Sequence, residues 1–405
     1  MLGLIFVCVV INYMDRTTVS VAANALAKDF ALTSVQLGKV FSAFGWTYAA
    51  FQIPGGLLAD VLTPRLLYAL SLLGWSLATL SQALAGGFGS LVGLRMTIGA
   101  CEAPAYPVNS RIVTRWFPVQ ERASSVAIYT SGQYVGLAFL TPAMAALQVY
   151  AGWRALFVIT GLLGVAWTAV WYALYRDPGV RAGAAGTETG SVGPGLPSIE
   201  RKGDALEVFR HGSLWGVYLG QFAITSAQWF FLTWFPIYLE KYRGIVFIKA
   251  GIWASIPFLA AFVGVLFSGL LSDFLFRRGV STAVSRKAPV IVGLLLTTSI
   301  VGANYVERPA LIILFLAVAF FGNGMASITW VFITLMAPAG LIGLAGGVFN
   351  FCGNLSAIVV PLAIGYLVRG GDFAPALLFV GSLALFGVAC YVFLVRTVRP
   401  VDAPA

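Results

Sequence analysis

Twelve apolar runs, each about 20 residues or longer, constrain the fold of this chain more than any other feature. A helix needs about 20 apolar residues to cross a bilayer. With 59% hydrophobic and 10% charged residues, a soluble domain of 405 residues could not bury so much apolar surface. We therefore predict an all-α membrane protein with twelve transmembrane helices, at about residues 2–26, 35–60, 66–86, 88–111, 122–147, 152–175, 213–239, 249–276, 287–305, 309–334, 340–368 and 374–395.

The first run predicts a membrane span rather than a cleaved signal peptide. It begins at Leu2 with no basic segment before it, and it continues through Asn12, Asp15 and Arg16 to about Leu26. No polar tail precedes it, which suggests a trimmed start. The net charge of +10 does not indicate nucleic-acid binding, because the basic residues are dispersed between the apolar runs.

A polar stretch at residues 176–212 divides the twelve runs into two sets of six. It combines a segment rich in Gly, Ser and Pro with a charged segment, which is typical of a linker. We expect six-helix bundles at residues 1–175 and 213–405. Basic residues concentrate on one side, so the positive-inside rule predicts that the linker and both termini are cytoplasmic. The basic residues of that side include Arg65, Arg111, Arg115, Arg176, Arg210, Arg277, Arg278, Arg286, Lys287 and Arg396.

A short motif recurs after the second and the eighth run. Gly56, Asp60 and Arg65 are repeated, each 213 residues further on, as Gly269, Asp273 and Arg278. Equal spacing at equivalent places predicts parallel repeats, an architecture known among transporters. The two copies resemble the cytoplasmic gating motif of the major facilitator superfamily, which implies that family's fold and a gating role for Asp60, Arg65, Asp273 and Arg278. The first copy departs from the usual motif at Val61 and Thr63, and an ordinary helix end with loop charges is the alternative interpretation.

Four charges lie inside apolar runs: Asp15, Arg16, Arg95 and Glu102. A charge at membrane depth costs at least ~2.5–3.5 kcal/mol on insertion scales, so each is a functional candidate. A cation that can hold an organic anion, beside carboxylates that can take up protons, indicates proton-coupled anion transport. A fixed ion-pair network that stabilises the N-terminal bundle is the alternative.

The spacing of these charges predicts which of them share a helix face. Asp15 and Arg16 are adjacent, so they diverge by about 100° around the helix. One can face the fourth run while the other faces a central cavity. Arg95 and Glu102 are seven residues apart, which places them on one face, about 10 Å apart along the axis. Pairing between the first and fourth helices is therefore expected.

Two segments resemble a particular branch of the superfamily. The sequences NYMDR at 12–16 and GACEAPAYPVNSR at 99–111 are similar to those of the anion:cation symporters, which include bacterial galactonate, glucarate and hexuronate uptake systems and the sialin and vesicular glutamate relatives. The resemblance implies proton sites at Asp15 and Glu102, with Arg95 supporting Glu102. It also implies substrate contacts at Arg16, Tyr13, Tyr48, Gln133, Ser327, Trp330 and Asn350.

Some of these positions have simpler interpretations. Trp330 is also suited to packing or to an interfacial anchor, and Gln133 and Asn350 to hydrogen bonds between helices. Amide, hydroxyl and aromatic groups around one arginine nevertheless favour a polyhydroxylated acid. We therefore predict a proton-coupled importer of a sugar acid (a hexonate, hexarate or hexuronate) in a bacterial inner membrane, functional as a monomer. Import of another carboxylate, such as a dicarboxylate or aromatic acid, or export, is the nearest alternative.

Enzyme and sensor functions are less well supported. The four cysteines lie in apolar runs without metal-ligand spacing, and the single histidine, His211, lies in the polar stretch. A membrane enzyme would need a nucleophile with its base, or metal ligands, at depth. We therefore predict no cofactor and no metal; the predicted partners are the anion, protons and lipid. A non-transporting sensor remains a third class.

Overall fold

The computed structural model describes residues 1–117, 119–177, 206–245, 247–338, 341–396 and 398. Within these ranges all regular structure is helical, as predicted. The predicted linker lies mostly outside the described residues; its described part includes a short helix, Glu207–Arg210.

The first six predicted spans correspond to helices of the N-terminal half. Span one is a single helix and span two is broken at Phe51. Spans three and four follow, and spans five and six meet at a kink at Gly152. Their helical segments are Leu2–Asp29; Ser34–Ala50 and Gln52–Val61; Pro64–Ser81 and Gln82–Leu84; Phe88–Glu102 and Ala105–Trp116; and Val119–Val135, Gly136–Leu140 and Thr141–Leu174.

The last six predicted spans form the C-terminal half in the same manner. Spans seven to twelve consist of Gly212–Thr233, Phe235–Ile237 and Tyr238–Tyr242; Phe247–Arg277; Thr282–Thr297 and Thr298–Tyr305; Pro309–Ala326, Ser327–Thr329 and Trp330–Met336; Ile342–Leu367 and Val368–Gly370; and Ala374–Ala389 and Cys390–Leu394. The boundaries agree with the predicted runs to within a few residues.

Among the described residues, eight helices meet length and hydropathy criteria for crossing a membrane. One of them, Ile128–Leu174, contains two predicted spans, which are separated by a kink at Gly152, where φ is 79°. Spans two, four and seven are not among the eight. Spans two and four are each broken into two shorter helices, and span four carries Arg95, Glu102 and Arg111.

Residues 30–33 connect spans one and two at one end of the bundle. The two halves contact each other toward this end, which we call the closed end. Span two packs on span eleven so closely that a Cβ on Gly38 would lie 2.7 Å from the Pro361 carbonyl oxygen. Ser20 donates a hydrogen bond to the Thr233 carbonyl, and Asn24 donates one of 2.5 Å to Glu240. The interface between the two halves, which we call the seam, is therefore closed by direct contacts at this end.

Candidate anion- and proton-binding site

A break in span four positions Glu102. Its first helix ends at Glu102, and the second begins at Ala105. Pro104 between them has no backbone N–H to continue the hydrogen-bond ladder. A Cβ on Gly55 of span two would lie 3.1 Å from the Pro104 nitrogen, so span two packs directly against the break. The carboxylate is thereby presented at a helix terminus inside the N-terminal half.

Gly99 brings span four against span two. A Cβ at this position would collide with the Phe44 carbonyl oxygen and with Thr47 Oγ1. Thr47 Oγ1 also donates a hydrogen bond of 2.6 Å to the Met96 carbonyl oxygen. This close crossing places Arg95 and Glu102 beside the aromatic face of span two.

Arg16 and Glu102 form a buried ion pair. Arg16 Nε donates to Glu102 Oε2 at 2.8 Å, with 5% and 0% of the two side chains exposed. The predicted pairing between spans one and four is therefore present, and its arginine is the one predicted to hold substrate. Arg16 Nη2 is buried without a hydrogen-bond partner, so a donor remains for a further anion.

Aromatic rings surround the Arg16 guanidinium. Its carbon lies 5.0, 4.9 and 4.9 Å from the ring centroids of Tyr13, Phe44 and Tyr48. Ring faces stabilise a desolvated cation and leave its N–H groups free for a ligand. Phe44 was missed by the sequence analysis, although it lies one helical turn before Tyr48 and hence on the same face of span two. The Arg95 guanidinium is 5.1 Å from the same Phe44 ring.

Asp15 and Arg95 are buried without hydrogen-bond partners among the described residues. Both are 0% exposed, and neither the Asp15 carboxylate oxygens nor the Arg95 guanidinium nitrogens have a partner. Asp15 faces Trp75, Arg95 and Glu102. A buried charge without a direct partner is costly, so these two groups are poised for a change of charge or of partner. The four buried charges sum to zero when both carboxylates are ionised.

The residues of the C-terminal half that are predicted to contact substrate have neutral polar or aromatic side chains. Ser327, Trp330 and Asn350 are exposed, and the Trp330 ring packs at 5.3 Å against Phe349. These three residues lie toward the end of the bundle opposite the closed end. Thr329 donates a hydrogen bond of 2.8 Å to Gln221 Oε1, linking spans ten and seven beside them.

Gln133 belongs to span five of the N-terminal half. It is half-buried and lies next to Tyr134, whose ring approaches Phe262 of span eight at 6.5 Å. Gly132 and Gly136 pack against the backbone of span one at Phe6 and Val10. These close contacts tie span five to the helix that carries Asp15 and Arg16.

The repeated gating residues have different environments in the two halves. Arg65 donates from Nε and Nη2 to the Tyr172 carbonyl oxygen at 3.1 and 2.5 Å. The Asp60 side chain lies outside the described residues. Asp273 pairs at 2.9 Å with Arg286 of span nine, while Arg278 lies over the Phe274 ring at 4.4 Å.

The chain is similar to sugar-acid transporters over nearly its whole length. The chain is 47% identical over 414 residues to a D-galactonate transporter of Escherichia coli O6:H1, covering 99% of this chain and 96% of that protein. It is 39% identical over 420 residues to the "Probable galactarate/D-glucarate transporter GarP" of Escherichia coli K12, with 98% and 95% covered. A hexuronate transporter of Bacillus subtilis is 29% identical, with 98% and 94% covered.

Solved structures share the fold at low sequence identity. A bacterial homolog of the human lysosomal transporter Spinster, in an inward-facing and occupied conformation, superposes with a TM-score of 0.78 at 19% identity, covering 98% of this chain and 96% of that one. A D-xylose-proton symporter gives 0.74 at 15% identity, with 98% and 97% covered. The predicted fold and the prediction of a transporter rather than an enzyme are confirmed: residues 5–361 match the Major Facilitator Superfamily, and the chain belongs to it.

Proposed function

We propose that this protein imports a sugar acid together with protons across a bacterial inner membrane, working as a monomer by alternating access. The observation that carries the proposal is the buried pair of Arg16 and Glu102 beside a second buried carboxylate, Asp15. The likeness to D-galactonate and galactarate/D-glucarate transporters supports the substrate class.

Charge balance gives the coupling its physical basis. An ionised Glu102 neutralises Arg16, so a substrate carboxylate entering the buried site would leave it with a net negative charge. Burying an uncompensated charge is strongly unfavourable. If Glu102 takes up a proton, Arg16 is free to hold the substrate carboxylate through its planar donor fork. We infer that at least one proton accompanies each monovalent anion.

The remaining candidate residues have two proposed roles, which are proton binding and substrate contact. Asp15, with Arg95 nearby, is a second proton site. Tyr13, Tyr48 and Gln133 position the substrate from the N-terminal half. Ser327, Trp330 and Asn350 contact its hydroxyl-bearing chain from the C-terminal half.

The orientation proposed from the basic loops places the closed end in the periplasm. The exposed C-terminal candidates then face the cytoplasm, so the described conformation is the one that releases substrate inside. The re-formed pair of Arg16 and Glu102 belongs to the substrate-free carrier. Asp60, Arg65, Asp273 and Arg278 lie at the cytoplasmic end in this orientation, where we propose that they help to close it during the return step.

Transport by purified protein in proteoliposomes tests the proposal. D-galactonate should accumulate when the external pH is lower than the internal pH, and a protonophore should abolish the accumulation. Counterflow with a panel of hexonates, hexarates, hexuronates, plain dicarboxylates and aromatic acids identifies the class. Full accumulation on a sodium gradient at equal pH would exclude proton coupling, and counterflow by aromatic acids alone would exclude sugar acids.

A further inference from the structure

A cavity of about 700 Å³ lies at the closed end, on the seam between the halves. Three separate segments form its walls: residues 32–35 around the start of span two, residues 241–242 at the end of span seven, and residues 366–371 at the end of span eleven. None of the site residues described above lines it. The cavity is thus separate from the buried charges of the N-terminal half.

The charged lining of this cavity is entirely basic. Lys241 and Arg369 line it, and no acidic residue does. Both side chains are exposed, and each lies near an aromatic ring that also lines the cavity: Lys241 Nζ is 5.7 Å from the Tyr242 centroid, and the Arg369 guanidinium carbon is 6.0 Å from the Tyr366 centroid. Neither cation has an ion-pair partner among the described residues.

The nearby acidic residues are engaged elsewhere. Glu240 accepts its hydrogen bond from Asn24. Asp29 accepts from Trp153 Nε1 at 2.7 Å and lies 3.6 Å from Arg154. Asp372 Oδ1 accepts from the Ala374 backbone N–H at 2.9 Å. Lys241 and Arg369 therefore supply the charges that line the cavity, and the N-terminus of the helix Ser34–Ala50 adds a partial positive charge at its wall.

We propose that this cavity is an outer capture site for the carboxylate of the transported sugar acid; the inference rests on the proposed function. Lys241 and Arg369 hold the carboxylate, and the Tyr242 and Tyr366 rings offer apolar faces to the carbon chain. Clustered like charges in a cleft raise the local concentration and the association rate of a counter-charged solute.

The cavity lies on the seam, so parting of the two halves would also open the cavity and release a captured anion. Beneath it, Gly38 of span two packs against Gly365 of span eleven, with a Cβ on Gly38 only 3.2 Å from the Gly365 Cα. One wall belongs to the N-terminal half and the others to the C-terminal half. When the halves part at this end, the walls separate and the captured anion is released at the entrance to the buried site.

Uptake of D-galactonate by right-side-out membrane vesicles at low ionic strength tests the proposal. The double variant Lys241→Gln with Arg369→Gln should raise the apparent KM on the order of tenfold at unchanged maximal rate, and added salt should abolish the difference. Arg308→Gln is the matched control, because it removes a charge from an exposed residue at the same end that does not line the cavity. Its KM should match wild type, and in inside-out vesicles all variants should match wild type.

Four results would overturn the capture site: an unchanged KM in the double variant, an equal rise in Arg308→Gln, a rise at both membrane faces, or a difference that vanishes in proteoliposomes made only of zwitterionic lipid. The last result would assign the cavity to the head group of an anionic lipid. Absence of uptake by the wild-type protein would refute the proposed function instead, so the two failures are distinguishable.

Discussion

Arg16 connects the ionisable groups of the site to the anion that the protein is proposed to carry. Its Nε is bound to Glu102, its Nη2 is without a partner, and three aromatic rings lie within 5.0 Å of its guanidinium carbon. A planar guanidinium suits this environment, since it can donate along its edge while its faces contact rings. Charge alone would not reproduce this arrangement.

We expect Arg16→Lys to weaken D-galactonate binding by about 2 kcal/mol or more, roughly 30-fold, because lysine lacks the fork that meets a carboxylate with two parallel hydrogen bonds. Isothermal titration calorimetry on purified protein measures the change. Arg308→Lys, at an exposed position, is the control and should bind normally. Affinity close to wild type in Arg16→Lys would show that Arg16 is structural.

We expect Glu102→Gln to separate exchange from accumulation. Glutamine keeps the size of the side chain but cannot cycle between charged and neutral forms. Counterflow should persist, because it needs only the loaded carrier, whereas pH-driven accumulation should fall sharply. Both assays are run on one vesicle preparation, and Asp15→Asn should behave similarly. Loss of both activities in a folded variant would make Glu102 a structural partner of Arg16, and retention of both would remove it from the proton path.

At the residue scale, the sequence identified the buried charges better than it specified how they pair. Asp15, Arg16, Arg95 and Glu102 were recognisable because charge is rare at membrane depth. The role of Phe44 was not recognisable, because an apolar residue in an apolar span carries no signal. The choice of Arg16 as the partner of Glu102 depends on the crossing of spans one, two and four, which residue spacing within one helix does not specify.

At the scale of elements, helix breaks and small residues determine where the charged side chains of the site lie. The break at Ala103 and Pro104 ends a helix at Glu102, and Gly99 lets that helix approach Phe44. Pro104 is a signal for the break that can be read from the sequence, because proline lacks the backbone N–H that would continue the helix. The importance of Gly99 over the other glycines of its helix became visible only in the packed structure.

We expect Gly99→Ala to destabilise the protein by about 1–3 kcal/mol, because the added methyl group would overlap the Phe44 carbonyl and Thr47. Relief of the overlap would move span four away from span two and shift Glu102 relative to Arg16, so transport should also fall. Thermal unfolding in detergent and counterflow measure the two effects. Gly93→Ala lies on the same helix with nothing within 4 Å and should neither destabilise the protein nor reduce transport. Equal behaviour of the two variants would contradict the packing argument.

At the scale of the whole molecule, the closed end is held by a few polar contacts across a closely packed seam. The twelve spans could be predicted, because the length of the apolar runs specifies them. Which end is closed could not be predicted, because alternating access requires one sequence to support both arrangements with a small difference in free energy.

We expect Asn24→Ala to shift the protein away from the described conformation, because Glu240 would lose its donor from the opposite half. Hydrogen–deuterium exchange should become faster in peptides covering residues 20–33 and 233–242. Asn304→Ala is the matched control, since Asn304 donates to the Ala374 carbonyl within the C-terminal half. Faster exchange in the control alone, or in neither variant, would show that the contact between Asn24 and Glu240 does not hold the seam.

The four buried charges all lie in the N-terminal half, whereas the buried polar side chains of the described C-terminal half are hydroxyls and one amide. This asymmetry has an evolutionary consequence. Under the proposed roles, the choice of sugar would diverge through substitutions in one half without disturbing ion coupling in the other, so that related carriers would acquire new nutrients while keeping the same energy source. A chimera that joins this N-terminal half to the C-terminal half of a galactarate carrier should still be driven by protons, with a substrate preference that follows its C-terminal parent.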